Sequence, residues 1–235
     1  MTATPSHFWA VVPAAGIGSR MQTETPKQYL NLAGKTVLSR SLGKLLAVPF
    51  IERIMVALSP NDAVWPSLPE ASESRISTVA GGSERADSVL AALKALDSYA
   101  APDDWVLVHD AARPCVQSAA ISRMLITLAD HPVGGIMATP IADTVKQVDA
   151  EQGIAATLDR SRLWAAQTPQ LFRYGLLVAA LEKALDAGVT VTDEASAVEW
   201  AGHTPKLFSG SRTNLKITVP EDLHLAELIL AAEGE

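Results

Sequence analysis

A short segment near the amino terminus combines small residues with positive charges, and both are residue types that bind phosphate. The segment Pro13–Arg20 reads PAAGIGSR, and Pro26-Lys27 follows in the same connection. Small side chains let the backbone approach a ligand closely, and glycine tolerates the positive φ of such turns. Successive backbone N–H groups in a loop of this kind bind anions, and Arg20 and Lys27 would add two positive charges. Taken alone, the segment is equally typical of a glycine turn with two solvated cations.

Two better-known phosphate-binding motifs do not fit the sequence. Gly16-Ile17-Gly18 lacks the third glycine of a dinucleotide-binding fingerprint, because position 21 is Met21. Gly34-Lys35-Thr36 is like the end of a P-loop, but Tyr29 stands where that loop requires its first glycine. We therefore reject an NAD-dependent oxidoreductase and a P-loop protein.

The composition excludes several classes of protein. The chain has 235 residues, of which 48% are hydrophobic, so it can bury a sizeable core without disulfides. Its net charge of −7 argues against a general nucleic-acid binder. Cys115 is the only cysteine, and we find neither a signal peptide nor an apolar run that could span a membrane. We therefore expect a single cytoplasmic domain over residues 1–235.

Apolar strands and amphipathic helices alternate along most of the chain. The predicted buried strands are Phe8–Pro13, Ile51–Leu58, Ile76–Ala80, Trp105–His109 and Gly134–Thr139. The predicted helices are Val37–Ala47, Arg85–Leu96, Ile121–Ala129, Tyr174–Ala187, Asp193–Trp200 and Pro220–Ala232. This alternation predicts an α/β fold with a mostly parallel sheet and helices on both faces. Such sheets bind ligands beyond the carboxyl ends of their strands.

The pattern changes over residues 140–162. Asp143–Val148 and Ile154–Leu158 alternate apolar and polar residues on either side of a turn at Asp149–Gly153. This arrangement predicts an antiparallel β-hairpin that protrudes from the parallel core.

Further blocks of sequence, together with the first segment, carry a resemblance to a known family. The blocks are GGSERADSV at Gly81–Val89, HDAARP at His109–Pro114, DTVK at Asp143–Lys146, LDR at Leu158–Arg160, QTPQ at Gln167–Gln170, TDEAS at Thr192–Ser196 and NLKIT at Asn214–Thr218. In order and spacing, this set resembles the 2-C-methyl-D-erythritol 4-phosphate cytidylyltransferases of the non-mevalonate isoprenoid pathway over essentially the whole chain. The resemblance implies a Rossmann-like fold and transfer of CMP from CTP to a polyol phosphate, with release of pyrophosphate.

The resemblance also implies a role for each matching residue. Arg20 and Lys27 would be catalytic, because they would neutralise the charge on the α-phosphate and on the departing pyrophosphate. The nucleotide-binding residues would be Ala14, Ala15, Gly16, Gly18, Gly82, Ser83, Arg85 and Ser88. The acceptor-binding residues would be Asp110, Ala111, Arg113, Thr144, Arg160, Thr168, Thr192 and Lys216. In the family the hairpin reaches a partner subunit, so Arg160 would complete the other protomer's site in a homodimer.

A Mg²⁺ ion is expected because it would bridge the triphosphate oxygens and neutralise their charge. The sequence shows no carboxylate cluster typical of a dedicated protein site for it, and its five histidines lack zinc-ligand spacing. His109 is interpreted as structural, and a salt bridge to Asp110 is the simple alternative for Arg113. Asp193 and Glu194 could reach the site, but acids at the start of a helix are usually electrostatic caps, and we interpret them in that way.

The sequence departs from the family pattern at two positions, and two alternative functions remain open. Ala142 stands where the family often has a basic residue, and Ser83 replaces an acid found in some relatives. The nearest alternative acceptor is ribitol 5-phosphate, and a second alternative is a catalytically silent nucleotide-binding protein. Nucleotide binding alone would not require Arg20 or Lys27. The presence of both residues therefore argues against a catalytically silent protein.

Overall fold

A computed structural model describes residues 7–16 and 25–234 of the chain. The strands are β1 (Phe8–Pro13), β2 (Asn31–Leu32), β3 (Lys35–Thr36), β4 (Ile51–Leu58), β5 (Ile76–Ala80), β6 (Trp105–Val108), β7 (Gly134–Pro140), β8 (Val145–Val148), β9 (Ile154–Leu158), β10 (Trp164–Arg173) and β11 (Lys206–Ser209). The α-helices are α1 (Val37–Leu46), α2 (Arg85–Ala95), α3 (Ser118–Leu128), α4 (Tyr174–Asp186), α5 (Glu194–Trp200) and α6 (Pro220–Ala232). Among these residues, no helix is long and apolar enough to cross a membrane.

Seven strands form the central sheet, in the order β11-β7-β10-β6-β1-β4-β5. The pairings on both sides of β1 are parallel, as are those of β4 with β5 and of β7 with β11. Strand β10 runs antiparallel to β6 and β7. The predicted α/β fold with a mostly parallel sheet is therefore confirmed.

The sheet is buried on both faces, and β1 shows why its sequence is continuously apolar. Ala10 and Val12 pack into one core with α1 and α3, whereas Trp9 and Val11 pack into a second core with α2, α4 and α5. Strands covered by helices on both sides need apolar residues at every position rather than at alternate ones. Helix α6 packs over a third, smaller cluster that includes the buried Cys115.

The predicted hairpin consists of β8 and β9, which pair as a separate two-stranded sheet. Its turn is organised by Asp149, whose Oδ1 accepts bonds from the amides of Glu151 and Gly153. The left-handed position in this turn is held by Gln152, with φ of 66°. Val148 and Ile154 leave apolar side chains exposed on the hairpin.

Candidate active site

The first cavity opens where parallel strands β1, β5 and β6 reach their carboxyl ends. Its empty volume is about 670 Å³. It is lined by Pro13, Ala14, Ala15, Gly16, Lys27, Gln28, Gly82, Ser83, Glu84, Arg85, Ser88, Asp110, Ala111, Ala112 and Lys216. This placement agrees with the expectation that ligands bind beyond the carboxyl ends of such strands.

All of the predicted nucleotide-binding residues within the described part of the chain line this first cavity. They are Ala14, Ala15, Gly16, Gly82, Ser83, Arg85 and Ser88. Gly18 and the predicted catalytic Arg20 lie outside the described residues. Lys27 lines this cavity, and its Nζ donates to the carbonyl of Ile217 over 3.2 Å.

Two residues within the quoted motifs, to which sequence reasoning assigned no role, determine how the loop after β1 packs. Gln28 is buried, and its Nε2 donates to the carbonyl of Ala14 over 2.8 Å. A Cβ on Gly81 would come within 2.5 Å of the Ala15 Cβ and 2.8 Å of the Ser88 Oγ. Glycine at position 81 therefore allows the loops after β1 and β5 to pack against each other.

The hydroxyl of Ser88, in the first turn of α2, bonds to the loop that precedes this helix. It accepts a bond from the amide of Gly82 and donates to the carbonyl of Glu84, each over 3.1 Å. Ser83 donates to Asp87 over 2.8 Å, so the residue that replaces an acid in some relatives bonds to an acid four positions later. These contacts shape the rim of the first cavity.

A second cavity adjoins the first, and its empty volume is about 580 Å³. It is lined by Arg85, Asp110, Arg113, Ala166, Gln167, Thr168, Gln170, Thr192, Asp193 and Lys216. Arg85, Asp110 and Lys216 line both cavities. We call these three residues the shared wall.

Five of the predicted acceptor-binding residues line the second cavity, and three do not. The five are Asp110, Arg113, Thr168, Thr192 and Lys216. Ala111 lines the first cavity instead. Thr144 and Arg160 lie exposed at the base of the hairpin and line neither cavity of this protomer. Arg160 Nη1 donates to the carbonyl of Ala142, which together with Ser83 is one of the two noted departures from the family pattern.

The carboxylate of Asp110 is the centre of the shared wall. Its Oδ1 accepts from Arg85 Nε over 3.0 Å, and its Oδ2 lies 2.8 Å from Lys216 Nζ and 3.6 Å from Arg113 Nε. The predicted alternative for Arg113, a salt bridge to Asp110, is therefore present in the structure. Because Arg113 also lines the second cavity, the salt bridge and the binding role are compatible.

These contacts determine the protonation of the wall. Burial works to raise the pKa of Asp110, but Arg85, Lys216 and Arg113 outweigh it and hold that pKa well below its usual range. Burial works to lower the pKa of Arg85, but Glu194 and Asp110 outweigh it and raise that pKa. Asp110 is thus an anion and Arg85 a cation at neutral pH.

His109 supports this wall from beneath and is fully buried. Its Nε2 lies 3.1 Å from the carbonyl of Arg113, which can only accept, so Nε2 carries the proton. Its Nδ1 then accepts from the hydroxyl of Thr168, whose oxygen accepts from the amide of Asp110 over 3.0 Å. Burial lowers the pKa of His109 to about 4, so the ring is neutral at pH 7. The structural role predicted for it agrees with this geometry.

The two acids at the start of α5 have different roles. Asp193 caps the helix, since its Oδ1 accepts from the amide of Ser196 over 2.9 Å. Glu194 turns inward and is fully buried, and its two oxygens accept from Arg85 Nη1 and Nη2 over 2.6 and 3.1 Å. Both acids lie at the start of α5 as predicted, but only Asp193 caps the helix through its side chain, whereas the carboxylate of Glu194 bonds to Arg85. The capping partner of Asp193, Ser196, lies within the TDEAS sequence, but the partner of Glu194 comes from another part of the fold and has no signal in that sequence.

Protein ligands for a metal ion are scarce in this site. Among residues 7–16 and 25–234, no group of three or more His, Cys, Asp or Glu side chains could hold one. Both carboxylate oxygens of Asp110 already face cations. A metal ion here would need most of its ligands from a substrate.

Comparisons with known proteins give a single result. The sequence profile of the family described as "IspD: 2-C-methyl-D-erythritol 4-phosphate cytidylyltransferase" matches residues 8–232. A protein of that name from Pseudomonas aeruginosa (strain UCBPP-PA14) is 52% identical over 217 residues, which are 92% of this chain and 93% of the relative. One from Pseudomonas entomophila (strain L48) is 51% identical over 224 residues, 95% of each chain. The crystal structure of the Francisella tularensis protein of that name superposes with a TM-score of 0.83 at 39% identity, and the match covers 95% of this chain and all of that one.

Proposed function

The chain belongs to the 2-C-methyl-D-erythritol 4-phosphate cytidylyltransferase family, and from that membership we propose how its two cavities divide the reaction. The enzyme is a nucleotidyltransferase that transfers CMP from CTP to 2-C-methyl-D-erythritol 4-phosphate. In our proposal, the first cavity binds CTP and the second binds the acceptor phosphate. The products are 4-diphosphocytidyl-2-C-methyl-D-erythritol and pyrophosphate.

The observation that carries this assignment is the shared wall. Arg85, Asp110 and Lys216 line both cavities, so ligands in the two cavities would meet at this wall. Holding two anions in contact requires fixed positive charge between them, and Lys216 and Arg113 supply it on the acceptor side. Positioning of this kind converts a bimolecular step into one within a single complex.

The chemical step needs no general base from the protein. A phosphate monoester has a second pKa of about 6, so the acceptor is largely a dianion at pH 7. One of its oxygens would bond to the α-phosphorus of CTP while the bond from that phosphorus to the bridging oxygen breaks, and pyrophosphate leaves with that electron pair. Lys27, with Arg20 outside the described residues, would stabilise the charge on the α-phosphate and the leaving group.

The nucleotide would be cradled by the small residues after β1. Ala14, Ala15 and Gly16 expose backbone rather than side-chain bulk to the first cavity, and such loops bind phosphate through their amides. On the opposite rim, Gly82 and Ser83 would face the cytosine and ribose.

Mg²⁺ would enter this site as part of the substrate. The ion would be bound by the triphosphate of CTP, which fits the scarcity of protein metal ligands among the described residues. It would supply charge neutralisation for the phosphates.

A homodimer is proposed from the hairpin. Arg160 and Thr144 line neither cavity of their own protomer, and the hairpin bears exposed apolar residues such as Ile154. A partner's hairpin would bring a second Arg160 to the acceptor cavity. The chain has a single cysteine, the buried Cys115, so no disulfide can form within the chain, which fits the cytoplasmic location that we propose.

The test is substrate selection. Pyrophosphate release would be measured with Mg²⁺ for each of the four NTPs against 2-C-methyl-D-erythritol 4-phosphate and ribitol 5-phosphate, with the product confirmed by mass. Turnover confined to CTP and the first acceptor supports the proposal. Turnover with ribitol 5-phosphate as the better acceptor would contradict the acceptor assignment while keeping the mechanism, and no turnover with any pair would contradict both.

A further inference from the structure

A buried carboxylate lies behind the shared wall without lining either cavity. Glu194 is fully buried, and both of its oxygens accept bonds from the guanidinium of Arg85. The third contact of that guanidinium, from Nε, goes to Asp110 over 3.0 Å. Arg85 therefore bonds to two acids: Asp110, which belongs to the shared wall, and Glu194, which lines neither cavity.

The pair joins the two loops that bound the two cavities. Arg85 begins α2 directly after Gly82–Glu84, which line the first cavity. Glu194 begins α5 directly after Thr192 and Asp193, which line the second. A displacement of this ion pair would thus move the edges of both cavities.

Stability alone is a weak explanation for such a pair. Removing two charges from water has a desolvation cost, and well-packed apolar residues often serve as well or better. What a bidentate carboxylate does provide is orientation, because its two oxygens match the planar fork of a guanidinium. Here that orientation directs Nε at Asp110.

The same geometry keeps the neighbouring cations on the acceptor side. Asp110 faces Lys216 at 2.8 Å and Arg113 at 3.6 Å. Without Glu194, the only described acid still opposite Arg85 would be Asp110, and the guanidinium would be free to turn toward a bound phosphate. Asp110 would then shift with it and draw Lys216 away from its present position.

We propose that Glu194 is a positioning residue for cytidylyl transfer, which holds Arg85 in the shared wall so that both substrates meet a fixed set of charges. It acts through Arg85 and touches neither substrate. This inference rests on the proposed division of the cavities between CTP and the acceptor.

The experiment compares Glu194→Gln with Glu194→Asp and with Glu199→Gln. The last variant makes the same charge change on an exposed residue of the same helix and should leave kinetics unchanged. For Glu194→Gln we expect kcat/KM to fall by about 10- to 100-fold, with KM raised for both CTP and the acceptor, because small displacements of positioning groups have effects of this size. Glu194→Asp keeps the charge and should recover part of the loss.

A double-mutant cycle with Arg85→Gln tests whether Glu194 influences the kinetics through Arg85. If Glu194 acts through Arg85, the double variant should be no worse than Arg85→Gln alone. Wild-type KM values in folded Glu194→Gln, or additive losses in the cycle, would overturn the proposal; Glu194→Asp provides the same KM comparison if Glu194→Gln does not fold. Lack of turnover by the wild-type enzyme would instead count against the proposed function.

Discussion

His109 Nδ1 lies 3.2 Å from Thr168 Oγ1, and this contact ties the end of β6 to the bulged middle of β10. The Thr168 oxygen also accepts from the amide of Asp110. The Thr168 hydroxyl therefore donates its proton to the ring, and only a remaining lone pair of its oxygen would be available to a hydroxyl of the proposed acceptor. The position of Asp110 thus depends on a neutral histidine that no substrate would reach.

Replacing Thr168 should separate its structural role from its binding role. Thr168→Val would leave the Asp110 amide and the His109 Nδ1 without partners, which should reduce the free energy of unfolding by about 1–3 kcal/mol. Because Asp110 would shift, KM for the acceptor should rise more than KM for CTP. Thr168→Ser keeps the hydroxyl and is the matched control. Denaturant unfolding and steady-state kinetics would check both effects, and equal stability of the Val and Ser variants would contradict the hydrogen-bond chain.

The buried ring of His109 predicts a specific loss of stability in mild acid. Its pKa falls from 6.5 to about 4 on folding, so the unfolded state binds the proton more readily. Stability is therefore full above pH 6.5 and declines as the pH falls toward 4, by about 3 kcal/mol in total. The depressed pKa of Asp110 acts in the same direction but at lower pH, below the usual range of an aspartate.

His109→Gln removes this titration while keeping a donor near the carbonyl of Arg113. Its unfolding free energy should change less than that of the wild type between pH 6.5 and 4. Parallel pH profiles for the two proteins would show that the ring does not titrate on unfolding.

The sequence predicted the parallel core well because burial leaves a clear signature there. In the predicted strand Ile51–Leu58, residues 54–58 are all apolar and buried, and the observed β4 has the same limits as the prediction. No comparable signal predicts β10, although it lies inside the sheet between β7 and β6. Its central residues Gln167-Thr168-Pro169 interrupt the ladder between Ala166 and Gln170, so neither a continuous apolar run nor an alternating pattern appears.

The residues that line the two cavities were easier to predict from the sequence than the bonds between them. Motif positions placed Arg85 and Asp110 in the site, but the bond between them joins residues 25 apart. The partnership of Arg85 with Glu194 spans 109 residues and depends on how α2 and α5 pack on the same face of the sheet. A single sequence does not encode such pairings locally, which is why the bond between Glu194 and Arg85 was not predicted.

Gly81 should be intolerant of even a methyl group. The added Cβ would lie 2.5 Å from the Ala15 Cβ and would force the loop after β1 away from the loop after β5. We expect Gly81→Ala to raise KM for CTP and to lower the free energy of unfolding by about 1–3 kcal/mol. Gly43→Ala is the control, because Gly43 is exposed within α1 with open space around it. That variant should be more stable by about 0.5–1 kcal/mol. A Gly81→Ala enzyme with unchanged KM for CTP would contradict the close packing of these loops.

Lys27 should contribute to turnover more than to nucleotide binding. It lines the first cavity, where charge would develop on the α-phosphate during transfer. Lys27→Ala should lower kcat by about 10²- to 10³-fold, the size seen when one preorganised charge-stabilising group is removed. Lys35→Ala, on an exposed strand residue, should have wild-type kinetics. Isothermal titration with CTP would report binding separately. If Lys27→Ala bound CTP normally and kept full turnover, the catalytic assignment of Lys27 would be lost.

Arg160 should act in the active site of the partner subunit. It lines neither cavity of its own protomer, and it sits where the hairpin leaves the core. Separately, Arg160→Ala and Lys27→Ala enzymes should both be nearly inactive. After subunit exchange in an equal mixture, about one quarter of wild-type turnover should return, because half of the dimers are mixed and each has one intact site.

An equal mixture of wild type with the Arg160→Ala/Lys27→Ala double variant provides the complementary control. It should retain about one quarter of the wild-type turnover if Arg160 acts in trans and about one half if it acts within its own chain. No recovery in the first mixture together with one half in the second would place Arg160 in its own protomer's site.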